Sequence, residues 1–444
     1  MTKKQTNRII FLIISLITFA FAYLIRIINH NFGINMRILS EIEIYLKLIS
    51  YIWLFGILLE YLIDNKVYKG FRYFCTFHKT KRILEKQMID AGFYIKRSYY
   101  LDVPMIKIDL SNDLSKGILK IRNNLKFDKR FDDVVMSSAL GKFVVERHYL
   151  TDDANYYIYE LIDGSLSFKQ TFNSFADFLQ YSKSISDYKL FLDKRTSVKL
   201  QHTLLVGMTG SGKTYSLYSL LLQMIYKDIP YVLFLADPKG SSLAVIGQMV
   251  DDARTFIDVE EIISSFEEFV HLMRKRKSEL KDKLSTKIDA DYSDFGMTPY
   301  VFICDEYASF VSVLSGQEKK VRDKVKSLIY EIILQGRQLG FFLFLVMQKS
   351  DATLIDTALR DNIPLKIVLG NSEQQTYVTT FGAGVDIPMR HYTIGEGVFT
   401  EPVLASVPKL VQFPYLDFDI LRYFGEAPRY VITGAPKCQR KYSV

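Results

Sequence analysis

The sequence has few residues of the kinds that form disulfides or metal clusters. Of its 444 residues, three are cysteines and six are histidines. Cys75, Cys304 and Cys438 lie far apart without paired metal-ligand spacing, and Cys304 lies inside an apolar run. This argues against a disulfide framework or a zinc site and fits a reducing cytosolic location. The histidines are scattered, and we assign chemistry to none of them.

Internal repeats and low-complexity tails are also absent from the sequence. Apolar residues make up 49% of the chain, which excludes a disordered protein and leaves room for more than one domain. The 57 Lys and Arg exceed the 49 Asp and Glu, giving a net charge of +8. This excess suits a partner such as anionic lipid or nucleic acid, but it equally suits an ordinary basic protein.

Two apolar runs near the N-terminus, residues 9–25 and 42–63, have lengths suited to membrane spans. A signal peptide is the alternative for the first run, but no small-residue cleavage site follows it and a second apolar run does. We therefore expect an uncleaved hairpin anchor with a short outer loop at residues 26–41. Lys47 and Glu60 lie near the ends of the second run, where long side chains reach the interface.

Basic residues flank the hairpin on the side of the two termini. Lys3, Lys4 and Arg8 precede the first run. The positive-inside rule therefore predicts a cell-membrane protein with two spans and both termini in the cytoplasm. The basic residues after the second run are Lys66, Lys69, Arg72, Lys79, Lys81 and Arg82.

Residues 202–214 combine an apolar strand, a glycine-rich loop and the start of a helix. The stretch reads His-Thr-Leu-Leu-Val-Gly-Met-Thr-Gly-Ser-Gly-Lys-Thr, which has the P-loop spacing for binding nucleotide phosphates. We expect ATP and Mg²⁺ here, with Lys213 on the β and γ oxygens and the Thr214 hydroxyl on the metal. The predicted nucleotide-binding residues are Gly207, Thr209, Gly210, Ser211, Gly212, Lys213 and Thr214.

Two acids end a later apolar strand, at Asp305 and Glu306. We expect Asp305 to position Mg²⁺ and Glu306 to orient and deprotonate the attacking water. Gln348 ends the next apolar strand, where its amide could reach the γ-phosphate or simply face solvent. The motifs together predict an ATPase.

The sequence signals for a role of other basic residues are less specific than those of the P-loop and the acidic pair. An arginine from a neighbouring subunit often neutralises the charge of phosphoryl transfer, and Arg337 and Arg360, expected near the carboxyl edge of the sheet, are the candidates. Basic runs at residues 274–283 and 319–326 could contact DNA phosphates. Because acids interleave with them, a solvated charged face is the favoured interpretation.

Continuous apolar runs at residues 231–237, 299–305, 341–347 and 364–370 predict strands buried on both faces of a parallel sheet. Helical stretches at 259–287 and 319–338 separate some of these runs. Within residues 65–185, a predicted helix at 81–92 and alternating runs indicate a small α+β domain, and the segment 165–194 is expected to connect it to the larger one. The predicted domains are a transmembrane hairpin (1–64), the small α+β domain with its linker (65–185) and a P-loop ATPase domain (186–444).

The ordered motifs at residues 203–407 resemble the FtsK/SpoIIIE family of DNA-translocating ATPases, within the FtsK–HerA group. Besides the P-loop and the Asp-Glu pair, they include Asp-Pro-Lys at residues 237–239, Gly-Arg-Gln-Leu-Gly at 336–340 and Asn-Ile-Pro at 362–364. The resemblance implies an α/β, RecA-like motor domain with a central, mostly parallel sheet. It also implies a homo-hexamer that passes DNA, single- or double-stranded, through a central channel.

The departures from the family pattern narrow the resemblance. The family's Gln-Arg-Pro-Ser is Gln-Lys-Ser-Asp at residues 348–351, and an arginine usual after the following strand is missing from residues 373–376. The chain shows two predicted spans rather than four and no winged-helix module. It is therefore most similar to the TcpA-like coupling proteins of conjugative elements in Gram-positive bacteria, whose expected partners are a relaxase and channel proteins. The alternatives are a related ATPase for protein export, a segregation translocase and a scaffold with a degenerate nucleotide site.

Overall fold

The computed structural model divides the chain into two units, Met1–Leu166 and Ser167–Val444. The predicted domain boundaries, at residues 65 and 186, stay predictions. The described residues are 3–31, 37–127, 130–131, 136–284, 287, 289–351, 354–383, 385, 387, 391–427, 429–431 and 439–441.

The first unit begins with two long helices and continues into a small α+β assembly. Short 3₁₀ helices occur at Val67–Lys69 and Met136–Ala139. The helices and strands are α1 (Lys3–Asn31), α2 (Arg37–Asp64), α3 (Phe71–Asp90), β1 (Ile95–Lys96), β2 (Leu101–Asp102), β3 (Ile106–Leu110), β4 (Lys116–Arg122), β5 (Phe143–Leu150) and β6 (Tyr156–Asp163).

The helices α1 and α2 pair as a hairpin. Their apolar side chains are mostly exposed, while Ser15 and Ser50 are buried between them and exchange hydrogen bonds, with 2.9 Å from Ser50 Oγ to Ser15 O. By length and composition alone, both helices could cross a membrane, with mean hydropathies of 2.4 and 1.8. Small polar residues at a helix contact suit that setting, because they allow close approach and hydrogen bonding in lipid. Residues 32–36 of the predicted outer loop lie outside the described residues.

The α+β part of the first unit packs α3 against an antiparallel sheet in the order β3-β4-β6-β5. The helix begins at Phe71, ten residues before the predicted start at residue 81. Its buried face includes Tyr73, Phe77 and Leu84, whose spacing is helical. Basic residues between them obscured that spacing in the sequence.

The second unit alternates strands and helices along most of its length. Its elements are β7 (Thr171–Phe172), α4 (Phe175–Lys183), β8 (Lys189–Phe191), β9 (Ser197–Lys199), β10 (Thr203–Gly207), α5 (Lys213–Tyr226), β11 (Val232–Ala236), α6 (Ser242–Asp251), β12 (Thr255–Phe256), α7 (Val259–Leu284), β13 (Tyr300–Cys304), α8 (Tyr307–Ser315), α9 (Lys319–Leu339), β14 (Phe341–Met347), α10 (Thr357–Asp361), β15 (Leu365–Leu369), α11 (Gln374–Phe381), β16 (Glu396–Glu401), β17 (Ala405–Gln412), β18 (Tyr415–Leu416), α12 (Ile420–Gly425), β19 (Arg429–Val431) and β20 (Gln439–Lys441).

An eight-stranded sheet forms the centre of this unit, in the order β12-β11-β13-β14-β10-β15-β16-β17. The six strands from β12 to β15 in this order are parallel, and β16 and β17 add antiparallel to one side. Apolar clusters cover both faces. The predicted fold class, α/β with a mostly parallel central sheet, is confirmed. The carboxyl ends of β10, β11, β13 and β14 share one edge, so the residues following these strands lie near one another.

The polar and aromatic segment predicted to connect the domains packs into the second unit from Ser167 onward. Phe172, Phe178 and Phe191 belong to its core, with Phe178 and Phe191 fully buried. The short strand β7 pairs in parallel with β18 from the far end of the chain. This segment is therefore a structural part of the unit that carries the P-loop.

Candidate functional site

The glycine-rich loop follows β10, which lies between β14 and β15 in the sheet. Gly210 and Gly212 have positive φ angles of 82° and 92°, which favour glycine. A Cβ on Gly212 would lie 2.5 Å from the backbone nitrogen of Gly395. That nitrogen also donates a hydrogen bond of 2.8 Å to the Ser211 carbonyl oxygen. The loop is therefore packed directly against the chain that leads into β16.

The helix α5 starts at Lys213, immediately after the loop, with Gly212 as its N-cap. The free N–H groups of a helix start favour anions, so the loop and helix form a site suited to phosphate. Ser211 is buried, Thr209 and Gly210 are exposed, and the Thr214 side chain reaches the surface. The predicted nucleotide-binding residues thus share one loop and one helix start.

Glu306 is the centre of the polar contacts at this edge. Its backbone lies in the left-handed region, with φ 50° and ψ 47°, at the N-cap of α8. Gln348 Nε2 donates a hydrogen bond of 2.8 Å to Glu306 Oε1. Lys213 Nζ lies 3.6 Å from the same oxygen. The structure therefore brings together the predicted Lys213, Glu306 and Gln348, whose roles in hydrolysis stay predictions.

The two adjacent acids have opposite pKa shifts. Burial raises the pKa of Asp305 to about 6; the charge of Lys213 opposes this rise and that of Asp237 adds to it. Burial also acts to raise the pKa of Glu306, but the Gln348 hydrogen bond and the charges of Lys213 and Lys239 outweigh it and lower that pKa. Glu306 is therefore held as a carboxylate, the form that a general base requires.

Lys239 and Asp237 are functional candidates to which the sequence motifs gave no role. Lys239 Nζ lies 3.3 Å from Glu306 Oε2. Asp237 is fully buried after β11 and accepts hydrogen bonds from the backbone nitrogens of Ser241 and Ala244, at 2.8 and 3.1 Å. It thereby ties the turn that carries Lys239 to the start of α6. The Asp-Pro-Lys motif at residues 237–239 was the sequence signal that pointed to these two residues. The contact of Lys239 with Glu306 could not be predicted from it, because the two residues follow separate strands.

The expected placement of both arginines at the carboxyl edge of the sheet is wrong. Arg337 is exposed near the end of α9, just before β14 begins. Burial, and then the charge of Arg337, lower the pKa of His202, which precedes β10. Arg360 lies in α10, before β15, and pairs with Asp361 at 2.8 Å. Both therefore lie at the amino edge, because each helix leads into its strand. A role toward a neighbouring subunit stays a prediction for each.

The basic runs are largely engaged in contacts within the unit. Arg274 in α7 forms two hydrogen bonds with Glu331 in α9, at 2.8 and 2.7 Å. Arg276 lies 4.8 Å from the centre of the Tyr300 ring, and Lys326 pairs with Asp356 at 2.9 Å. These contacts engage part of each run within the unit, and the choice between a solvated charged face and a DNA-contacting face stays a prediction.

Comparison with known proteins agrees with the predicted family. Residues 178–334 match the model of the FtsK/SpoIIIE family, so this part of the chain is an FtsK/SpoIIIE-type domain. The FtsK domain-containing protein YdcQ of Bacillus subtilis (strain 168) is 24% identical over 323 residues, covering 70% of this chain and 66% of that protein. The DNA translocase SftA of the same organism is 26% identical over 215 residues, covering 45% and 21%. The match thus spans less than two thirds of each relative's length.

Solved structures show similar proteins at lower identity. The pCW3 conjugation coupling protein TcpA, in its monomer form with ATPγS, is 15% identical with a TM-score of 0.47, covering 76% of this chain and 95% of that one. The cytoplasmic domain of EssC is 16% identical with a TM-score of 0.42, covering 57% and 49%. The predicted ATPase class agrees with the FtsK/SpoIIIE match.

Proposed function

We propose that this protein is a membrane-anchored, ATP-driven DNA translocase that feeds DNA to a conjugative transfer apparatus. The observation that carries the proposal is the meeting of Lys213 and Gln348 on the Glu306 carboxylate, at 3.6 and 2.8 Å, inside an FtsK/SpoIIIE-type domain. A P-loop lysine beside a held carboxylate is the arrangement that ATP hydrolysis needs.

The chain's own residues supply binding and proton transfer. The loop and the start of α5 hold the phosphates, and Lys213 neutralises their charge. Glu306 accepts the proton of the attacking water, while Gln348 keeps its carboxylate oriented. These three residues place acid–base chemistry next to the phosphate site.

Mg²⁺ fits the residues beside the loop. In the described part of the chain, no group of three or more His, Cys, Asp or Glu side chains could hold a metal by itself. This suits Mg²⁺, which usually takes one or two protein oxygens together with substrate phosphates. The Thr214 hydroxyl and the Asp305 carboxylate would hold it, and it would shield the phosphate charge.

DNA as the substrate is supported by the family match and by relatives such as SftA, which is named a DNA translocase. The hexamer with a central channel follows from the family resemblance, and the hairpin α1–α2 is the proposed membrane anchor. The coupling role follows from the resemblance to the TcpA-like coupling proteins. A relaxase and channel proteins are the partners that this role requires.

The ATPase activity of the full chain in detergent, with and without DNA, tests the proposal. We expect DNA to stimulate turnover, and Glu306→Gln to abolish turnover while ATP binding is retained, because the loop and Lys213 are unchanged. Glu279→Gln, at an exposed glutamate of α7, is the matched control and should behave like the wild type. Identical rates with and without single- or double-stranded DNA would contradict the proposal.

Affinity capture from cells separates the coupling role from protein export. Recovery of a relaxase is the expected result, together with loss of conjugative transfer in the Lys213→Ala strain. Recovery of small secreted proteins without a relaxase would favour export, and loss of DNA segregation alone would favour the chromosome or plasmid translocase.

A further inference from the structure

We infer that a cavity of about 290 Å³ at the end of the hairpin formed by the start of α1 and the end of α2 binds the phosphate of an anionic phospholipid headgroup. The inference rests on the proposed membrane anchor, because it needs this end of the hairpin to lie at the membrane surface, but it concerns residues outside the ATPase site. Pockets for small ligands typically measure about 300–1,000 Å³. The cavity therefore suits a small group such as a glycerol phosphate.

Three helices of the first unit form the cavity. The start of α1 contributes Lys4 and Arg8, and the end of α2 contributes Tyr61 and Asp64. The third wall is α3, whose lining residues are His78, Lys81, Arg82 and Glu85. The cavity thus lies where the hairpin meets the small α+β part of the unit.

Contacts between α3 and the end of α2 hold the walls of the cavity in place. His78 Nδ1 lies 3.0 Å from Asn65 Oδ1, and Asn65 Nδ2 donates a hydrogen bond of 2.9 Å to the Tyr61 carbonyl oxygen. The rings of His78 and Tyr61 meet edge to face at 6.4 Å. A site whose walls are already fixed loses less freedom when a ligand binds.

The cations of α1 have too few carboxylates to satisfy them. Lys4 and Arg8 both pair with Asp64, so one carboxylate is shared by two cations. Glu60 lies 3.9 Å from Lys4 Nζ and 3.5 Å from Arg8 Nη2. Arg8 Nε is buried and has no hydrogen-bond partner among the residues that the structure describes. A phosphate accepts several hydrogen bonds at once, and arginine is the side chain best shaped to donate them.

Two further cations come from α3. Neither Lys81 nor Arg82 forms an ion pair within the part of the chain that the structure describes, and Lys81 Nζ lies 5.7 Å from the centre of the Phe77 ring. Burial lowers the pKa of Lys81, Glu85 opposes this shift, and nearby cations add to it. Even with Glu60 counted, the described residues of the cavity and its rim hold four cations against three carboxylates. An anion in the cavity would balance this charge.

The position of the cavity selects a lipid phosphate over a free one. Arg8 directly precedes the apolar run at residues 9–25, and Tyr61 lies near the end of the second run. The Arg8 guanidinium lies 5.6 Å from the centre of the Tyr61 ring. Aromatic and basic side chains at the ends of spanning helices mark the headgroup level of a membrane, and basic pockets there suit anionic headgroups. A phosphate in the cavity would leave its acyl chains beside the exposed apolar side chains of α1 and α2.

Native mass spectrometry of the full chain in a neutral detergent measures single bound lipids without the charge of a membrane surface. We expect dioleoyl phosphatidylglycerol to bind roughly tenfold more tightly than dioleoyl phosphatidylcholine, because the choline ammonium is repelled by the cations of the cavity. Inorganic phosphate and glycerol 3-phosphate at equal concentration should not displace the bound lipid, since they lack acyl chains.

Paired charge variants of α3 separate the cavity from general basicity. Lys81→Gln combined with Arg82→Gln should weaken phosphatidylglycerol binding roughly 30-fold, because each basic residue beside an anionic lipid contributes about fivefold. Lys79→Gln combined with Lys86→Gln removes the same charge from exposed residues of α3 that do not line the cavity, and should bind like the wild type. Glu85→Gln removes a lining carboxylate and should strengthen binding severalfold.

Three outcomes would overturn the inference. They are equal affinity of the wild type for the two lipids, equal weakening in the two double variants, and displacement of the lipid by inorganic phosphate or glycerol 3-phosphate, which would assign the cavity to a free phosphate. Stronger binding in Glu85→Gln cannot result from misfolding, so an unchanged affinity in that variant would also contradict the inference.

The ATPase assay tests the proposed translocase without reference to lipid. A wild type whose turnover is stimulated by DNA, but which does not prefer phosphatidylglycerol, would overturn this inference alone. A wild type that prefers phosphatidylglycerol, but whose turnover does not respond to DNA, would support this inference and contradict the translocase.

Discussion

At the scale of single residues, Glu306 has donors on both carboxylate oxygens. Lys213 and Gln348 contact Oε1, and Lys239 contacts Oε2. Glu306 has a left-handed backbone at the start of α8, and its side chain lies 3.6 Å from Lys213 Nζ. Such a backbone is uncommon for a residue other than glycine, and strained residues of this kind cluster at functional sites.

We expect Lys239 to position the Glu306 carboxylate and not to contact ATP or the attacking water. In Lys239→Ala, we expect turnover to fall roughly tenfold with ATP binding retained, because a hydrogen bond to a charged group is lost. Lys239 lowers the Glu306 pKa, so its loss should raise that pKa and shift the acidic limb of the pH–rate profile to higher pH. Lys239→Arg should restore both properties. An unchanged profile in Lys239→Ala would show that the contact does not act on the base.

His202 should make the second unit sensitive to acid. Burial, and then the charge of Arg337, lower its pKa to about 3, and its Nδ1 accepts a hydrogen bond of 3.1 Å from the Leu343 nitrogen. In the unfolded chain, the histidine has a pKa of about 6.5 and binds a proton below that pH, whereas the folded His202 stays neutral. The free energy of unfolding should therefore fall by about 1.4 kcal/mol for each pH unit below 6.5.

The variant His202→Asn keeps an acceptor near the Nδ1 position but does not titrate. Thermal melting of the full chain between pH 7.5 and 5 should therefore show a smaller loss of stability for this variant than for the wild type. Parallel pH dependences for the two proteins would contradict the assignment of a neutral buried histidine.

At the scale of elements, the phosphate loop depends on its packing against the chain before β16. Gly210 and Gly212 both have positive φ, but a Cβ would meet nothing within 4 Å at Gly210 and would collide with Gly395 at Gly212. A side chain at Gly210 would therefore meet only backbone strain, whereas one at Gly212 would meet both strain and a steric collision.

Alanine at these two glycines should have unequal effects. Gly212→Ala should abolish nucleotide binding, because the loop must move away from Gly395. Gly210→Ala should retain binding with reduced affinity, since left-handed backbone alone costs about 1–2 kcal/mol for alanine. Titration with a fluorescent ATP analogue measures both. Equal affinities in the two variants would show that the contact with Gly395 is not needed.

At the scale of the whole molecule, the chain joins a unit with a long apolar hairpin to a unit with a nucleotide site. The second unit also uses residues 167–191 for its core. A deletion that began at the predicted boundary of residue 186 would therefore remove Lys169 and Phe178. The boundary at Ser167 preserves these packed residues.

Labelling with a membrane-impermeant maleimide tests the proposed topology. Cys75, exposed in α3, should react only after cells are permeabilised, because it follows the second span. Arg37→Cys, in a background with Cys75 and Cys438 replaced by serine, should react in intact cells, because the Arg37 side chain is 93% exposed at the start of α2. Labelling of both thiols only after permeabilisation would exclude a spanning hairpin.

The sequence alone determined the P-loop, the Asp305-Glu306 pair and the parallel strands, because each is written in consecutive residues. An apolar run of five to seven residues is recognisable without its neighbours. The antiparallel β16 and β17 were not predicted, since glutamates at both ends of β16 interrupt the apolar pattern. The early start of α3 was missed because long basic side chains mask its buried face.

Only the tertiary structure decided which distant residues meet at the site. Lys239 reaches Glu306 because β11 and β13 are adjacent in the sheet. Arg337 lies at the edge opposite the loop because α9 leads into the start of β14. The hydrogen bond from Lys169 Nζ to the Ile394 carbonyl oxygen joins residues that are 225 positions apart in the sequence. Such contacts depend on strand order and helix direction, which follow from the packing of the whole unit rather than from any one segment.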